Sequence, residues 1–251
     1  MVGFLMTDAN ERIVGKLGKL AAKRPEGLHM FAYYQTSPLP AAPESVAVPA
    51  VENWQMLGND QYGDCTFAGI VHAMMATAAA EQETETFPTA DEVVNVYLTY
   101  TNGQDAGAVE ADLLSYWKNT GIFGKNIPAY APTDHADFDE LKSVIATFGL
   151  AYIGIQVPTL AQQQFAEGHP WALSHTSADN QIEGGHCIIL VGYDNDYVEC
   201  ITWGKVQKIT WEWLRAYIEE SWAIITPEIV EKGLYGDLRL PDLLTDLEKL
   251  S

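Results

Sequence analysis

The chain changes character near residue 149, and that change limits the folds open to it. Before it, apolar residues recur at helical spacing; after it, they form short β-branched runs. Thr66 to Ala80 predicts a strong helix, mostly Ala and Met, with Phe67, Ile70, Val71, Met74, Met75 and Ala78 on one face. Thr89 to Thr99 predicts another, and Glu92 three residues after Thr89 is a capping-box pattern. Val109 to Asn119 and the shorter Asp137 to Phe148 also read as helices. Leu150 to Val157 and Gly185 to Gly192 read as buried strands. Asp194-Asn195-Asp196 predicts a hairpin turn into Tyr197 to Trp203. Trp211 to Ser221 looks helical, and Trp222 to Thr226 a final strand. Helices followed by strands argue an α+β fold of two subdomains. The helical half covers about 51–148 and the β half about 149–226.

The remaining segments differ. Residues 1–50 read as an arm that wraps the body or reaches a partner. Within it, Ile13, Val14, Leu17 and Leu20 predict a helix over Glu11 to Lys23, weakened by Gly15 and Gly18. Ser37 to Pro43, rich in proline, predicts extended chain that cannot join a central strand. Residues 227–251 form a C-terminal extension.

Composition narrows the function. At 251 residues, 47% hydrophobic and 19% charged, the chain has ordinary globular make-up. No apolar run reaches the roughly 18 residues of a membrane helix. Met1 to Asn10 lacks a basic start and a sustained apolar stretch, so no signal peptide is expected. A cytoplasmic location is expected. Thirty-four acidic residues against 14 basic ones give a net charge of −20. Arg12, Lys16, Lys19, Lys23 and Arg24 cluster at the start; no base occurs from Pro25 to Trp117 or from Ser143 to Gly204. Such a body repels nucleic acid and anionic lipid, and any cleft in it tolerates or prefers cationic groups. No zinc, calcium or phosphate-loop spacing is present, so neither metal nor cofactor is expected. Cys187 and Cys200 read as free core thiols, since a turn near Asn195 keeps them from facing each other.

Cys65 ends the run Gly58-Asn-Asp-Gln-Tyr-Gly-Asp-Cys65 and opens the 66–80 helix. A helix N-terminus stabilises a thiolate, the nucleophilic form of cysteine. A small buried core residue is the other reading of Cys65. His72 lies about 10 Å away by helical rise, too far to act as its base. His29 and His135 carry no signal; His169 and His175 flank Trp171 in a loop and have a weak claim to a cleft. His186, after Gly184-Gly185 and at the head of a buried strand, is well placed as a fixed base.

Cys65 at a helix start, His186 opening a late strand and Thr202-Trp203-Gly204 after a hairpin resemble the papain-like cysteine peptidases in order and arrangement. Asn53-Trp54, Gly63 to Ala68, Gly103 and Gly107, and His186 to Tyr193 are similar to further pieces of that family. The resemblance covers about Val51 to Thr226. It implies a helical subdomain packed on a β-barrel-like antiparallel one. It also implies a Cys65–His186 pair, Asn59 as oxyanion donor, and Trp203 as a shield. The chain also resembles small papain-like proteins of actinobacteria and their phages, and a virion-associated location rests only on that resemblance.

Two departures matter. Ile201 stands where the family orients its histidine with asparagine; Thr202, Glu199, a backbone carbonyl or no group at all is left for that role. Asn59 is one methylene shorter than the family's glutamine. Asp64 beside the sulfur would raise the thiol pKa if close and unpaired. Two readings follow. In the first, the chain is a thiol hydrolase of peptide or other amide bonds. In the second, it is an impaired papain-like fold serving as a structural or binding protein, possible in a phage virion through residues 1–50. A pro-segment is a weaker third reading, because 50 residues is short for a segment that fills a cleft. An enzyme predicts an open cleft with Cys65 Sγ within about 4 Å of a His186 ring nitrogen. A structural protein predicts a cleft filled by its own arm.

Overall fold

The computed structural model describes residues 15–37 and 39–250. The chain forms, in order, α1 (Phe31–Tyr34), α2 (Cys65–Glu81), α3 (Ala90–Tyr100), α4 (Glu110–Asn119), β1 (Ala129–Pro132) and α5 (Phe138–Phe148). There follow β2 (Ala151–Pro158), α6 (Thr159–Glu167), β3 (Ile182–Tyr193), β4 (Tyr197–Thr202) and β5 (Lys205–Thr210). The last elements are α7 (Trp211–Tyr217), β6 (Ile218–Ile225), α8 (Pro227–Glu231) and α9 (Leu240–Glu248). Helices thus dominate the first half and strands the second, as the change of period near residue 149 implies.

Local chemistry explains the boundaries. Thr89 and Glu92 form the reciprocal capping box that opens α3. Asp137 caps α5 by accepting from the amides of Asp139 and Glu140. Asp194 closes the β3–β4 hairpin, its Oδ1 accepting from the amides of Asp196 and Tyr197. α2 is buried on every side from Cys65 to Ala76 rather than along one face. It is the central helix, packed on β3. Gly69 lets it approach, since a Cβ there would lie 3.1 Å from both Cys187 Sγ and Tyr152 Cε2.

Three expectations fail. Glu11 to Lys23 is not a helix: Gly15 to Lys23 runs extended against the body, while Glu11, Ile13 and Val14 lie outside the described residues. The β half is not a barrel but an open, wholly antiparallel sheet of order β1-β6-β2-β3-β4-β5. The helix predicted over Trp211 to Ser221 stops at Tyr217, where β6 begins. Glu219 and Glu220 break its alternation to the eye, yet the strand pairs on both edges with β1 and β2.

The segment before α2 wraps the body. Val46 bridges to Tyr193, and the Tyr193 hydroxyl donates to the Pro43 carbonyl. The C-terminal extension meets it, since the Tyr34 hydroxyl donates to Asp246 at 2.9 Å and the Arg239 amide to the Tyr34 carbonyl. The three cysteines are free and buried. Among the described residues no helix is long and apolar enough to cross a membrane.

Candidate active site

The β2–β3 register sets Gly154 opposite Cys187 and Ile155 opposite His186. The α2 N-terminus faces this point, and the Cys187 amide donates to Cys65 Sγ at 3.4 Å. The sulfur therefore sits one peptide unit from His186. Its ring Nε2 lies 2.8 Å from Thr202 Oγ1, and the ring stacks on Trp203 with centroids 4.8 Å apart. Ile201 makes no such bond; of the candidates for orienting the imidazole, Thr202 is the one within reach. Glu199 pairs instead with Lys208. His186 Nδ1 is buried with no hydrogen-bond partner, so the thiol and the imidazole are not bonded to each other.

The cleft between the two halves is filled. Residues 15–20 run through it as an extended strap with partners on both sides. The Lys19 amide donates to the Gly185 carbonyl at 3.1 Å, and the Leu20 amide to the Ala108 carbonyl at 2.9 Å. Successive residues bond to opposite walls, as an inserted strand does. The Ala108 amide donates back to the Gly18 carbonyl at 2.9 Å. Asn59 clasps Lys16 twice: its carbonyl accepts from the Lys16 amide, and its Nδ2 donates to the Lys16 carbonyl at 3.2 Å. The Gly18 amide faces Cys65 Sγ.

Glycines on both partners make the contact possible. A Cβ on Gly18 would lie 1.7 Å from the Gly63 carbonyl oxygen, and one on Gly15 would lie 2.0 Å from Trp203 Nε1. On the walls, a Cβ on Gly107 would meet the Gly18 carbonyl and one on Gly185 the Lys19 carbonyl. The room that Gly184-Gly185 leaves beside His186 is taken by the strap.

Electrostatics follow from this closure. Burial pushes the Cys65 thiol up to about 12 against the amides of Cys187 and Gly18, and Asp64 adds to the rise. That displacement from 9.0 is worth about 4 kcal/mol, more than the roughly 1 kcal/mol a helix N-terminus contributes, so burial wins. Burial pushes His186 down to about 3. The pair is a neutral thiol beside a neutral imidazole. Asp64 is buried, and desolvation raises it to about 8 against the weaker opposing pull of Asn59 and its own backbone amide. His72 is likewise held neutral by burial, at about 4, with Nε2 against the Trp54 and Gln55 carbonyls. His72 anchors the loop before Cys65 and adds, after burial, to the lowering of His186.

Other candidates fall away. His169 is exposed beside Glu167, and His175 is exposed. Trp213 and Trp222 are core residues, and Trp211 packs on Phe138. Among the described residues no group of three or more His, Cys, Asp or Glu side chains is placed to hold a metal ion. The sequence reading missed Lys19 and the carboxylates around it. Lys19 Nζ lies 2.8 Å from Glu219 and 2.9 Å from Glu220. Gly154, between Ile153 and Ile155 in a buried strand, was a usable signal: only a residue without Cβ leaves space for the Lys19 stem.

Comparison with solved structures finds the same fold. Xylellain, a cysteine protease from Xylella fastidiosa, matches with a TM-score of 0.65 at 15% identity, over 88% of this chain and 99% of that one. The proform of the ragweed cysteine protease Amb a 11 matches with a TM-score of 0.54 at 16% identity, over 78% of this chain and 61% of that one. Procathepsin L 3 of the Tenebrio molitor larval midgut matches with a TM-score of 0.54 at 13% identity, over 80% and 74%. No family model and no curated protein matches the chain. The structural matches lend no support to a phage or virion origin.

Proposed function

We propose that this chain, whose fold is papain-like, is a thiol hydrolase of peptide bonds held closed by its own N-terminal strap. The supporting observation is the strap itself. An extended backbone is gripped on both edges beside Cys65 Sγ, so the cleft is built to hold a peptide. The strap presents the Gly18 N–H to the sulfur. An amide N–H is a donor and not an electrophile, so the nucleophile has nothing there to attack.

Displacing the strap would rehydrate the site. The thiol would fall and the imidazole rise in pKa, because burial dominates both. With Nε2–H donating to Thr202 Oγ1, Nδ1 is the basic nitrogen that takes the Cys65 proton. The thiolate attacks the substrate carbonyl carbon. Asn59 Nδ2, released from the Lys16 carbonyl, and the Cys65 amide then steady the oxyanion. His186 protonates the leaving amine, Trp203 screens the pair from water on one ring face, and water hydrolyses the thioester.

A second reading is a closed fold used as a structural or binding protein. The buried, neutral Cys65 and His186 favour it. Gly18→Ala separates the two, because its Cβ would collide with Gly63 and push the strap out. The rate of Cys65 alkylation by iodoacetamide, followed from pH 4 to 10 by peptide mass, is the readout. The hydrolase reading expects slow labelling of the native chain, fast labelling of Gly18→Ala below pH 7, and loss of that gain with His186→Ala. Labelling of Gly18→Ala that rises only toward the free-thiol range would leave the structural reading standing.

A further inference from the structure

Leu17 of the strap packs partly buried against the core, and Lys19 is the strap side chain that is fully buried. Its ammonium reaches Glu219 Oε2 at 2.8 Å and Glu220 Oε1 at 2.9 Å and donates to the Leu20 carbonyl at 3.2 Å. Glu110 stands behind them, fully buried at the head of α4. The Trp222 indole N–H ties the rear of the pocket together, lying 3.1 Å from Glu110 Oε2 and 3.3 Å from Glu220 Oε2. Glu110 Oε1 is buried, and the Cys187 thiol faces this carboxyl. Oε1 lies 2.9 Å from where a Gly154 Cβ would stand, and Lys19 Cε lies 2.0 Å from that same point. This carboxyl oxygen therefore borders the space that the lysine stem fills.

A structural ion pair needs one carboxylate; here two carboxylates of β6 hold the ammonium and the Glu110 carboxyl of α4 adds its field from behind. All three belong to the body, and the cation belongs to the removable strap. Two buried carboxylic groups side by side are costly when nothing cationic is between them. Burial and mutual repulsion accordingly raise Glu110 well above the usual carboxylate range. The pocket is thus built around a long cationic side chain on an extended backbone beside Cys65.

We infer that the Glu110–Glu219–Glu220 pocket recognises a lysine or arginine side chain of the peptide substrate, with Lys19 as its resident surrogate. This rests on the hydrolase reading for the word substrate, while the pocket's preference for a cation stands on its own contacts. Gly154 leaves room for the stem, Trp222 positions the carboxyls, and Glu220 supplies the buried charge.

The test uses the full chain carrying Cys65→Ala and Gly18→Ala, which cannot turn over. Its probes are fluorescein-labelled Ala-Ala-Lys-Ala-Ala and the same peptide with arginine, norleucine or glutamate in place of lysine. Lysine and arginine peptides should bind at least about tenfold tighter than norleucine, and glutamate weakest. Glu220→Gln and Glu110→Gln should each shrink the lysine-to-norleucine ratio. Equal binding of lysine and norleucine, or a ratio that neither substitution moves, overturns the inference. A second measurement needs no open strap: n-butylamine should raise the melting temperature of Lys19→Ala more than n-butanol does, and leave the native chain unmoved. Equal effects of amine and alcohol overturn it too. Lysine selectivity without hydrolysis by the Gly18→Ala chain would sink the hydrolase reading and keep the pocket. Hydrolysis without lysine selectivity would do the reverse.

Discussion

At the scale of single residues, hydrogen-bond reach and burial decide the chemistry. Thr202 Oγ1 holds His186 Nε2 at 2.8 Å, a role that Ile201 cannot fill. Thr202→Val keeps the shape and removes the acceptor. In the Gly18→Ala chain it should slow alkylation below pH 7 by about tenfold or more, while Thr202→Ser retains the rate. An equal loss with serine would mean packing, not orientation. Asp64 gives a pH dependence of known sign. Its folded pKa of about 8 lies above the ordinary 3.8, so its share of stability is intact at low pH and lost as pH rises toward 8. Asp64→Asn should leave urea stability unchanged at pH 4. It should then stabilise progressively up to pH 8, by as much as roughly 5 kcal/mol. A flat difference across that range would contradict the buried carboxyl.

At the scale of elements, the strap and β2 depend on each other. Gly154 sits in β2, and its missing side chain is occupied by Lys19 Cε and Cδ. Gly154→Ala should expel Lys19 and open the strap to trypsin at Lys19, which the native chain protects while exposed Lys23 is cut. Protection of Lys19 in the alanine variant would show that the strap relaxes around the methyl group. The capping box of α3 is independent of this. Thr89→Ala should cost about 1 kcal/mol in urea unfolding and leave the cleft unchanged.

At the scale of the whole molecule, the two terminal segments hold each other. α9 packs on α1 and β1, and its Leu243 is fully buried. Leu243→Ala should cost about 2–5 kcal/mol of stability. Thirty-four acidic residues against 14 basic ones also make the folded chain repel itself. Its melting temperature should rise between about 0.01 and 0.3 M salt as screening shortens the reach of that repulsion. A melting temperature independent of salt would mean that the buried Lys19 cluster and surface pairs already balance the excess.

The element pattern was legible from local sequence, whereas Cys65, His186 and Trp203 came together only through the resemblance to papain-like peptidases. Helix caps, β-branched runs and the hairpin turn are short-range signals, and each acts within a few residues. Residues 15–23 misled for the same reason: apolar spacing there matches a helix, but the glycines that weaken it serve contacts with Gly63 and Trp203 far along the chain. The open edge of the sheet, the filling of the cleft and the gathering of Glu110, Glu219 and Glu220 around Lys19 are long-range facts. They depend on which surfaces meet once α2 is buried against β3, and no local propensity encodes that meeting. Burial, which sets Cys65 at about 12 and His186 at about 3, is likewise a property of the closed molecule and not of either residue.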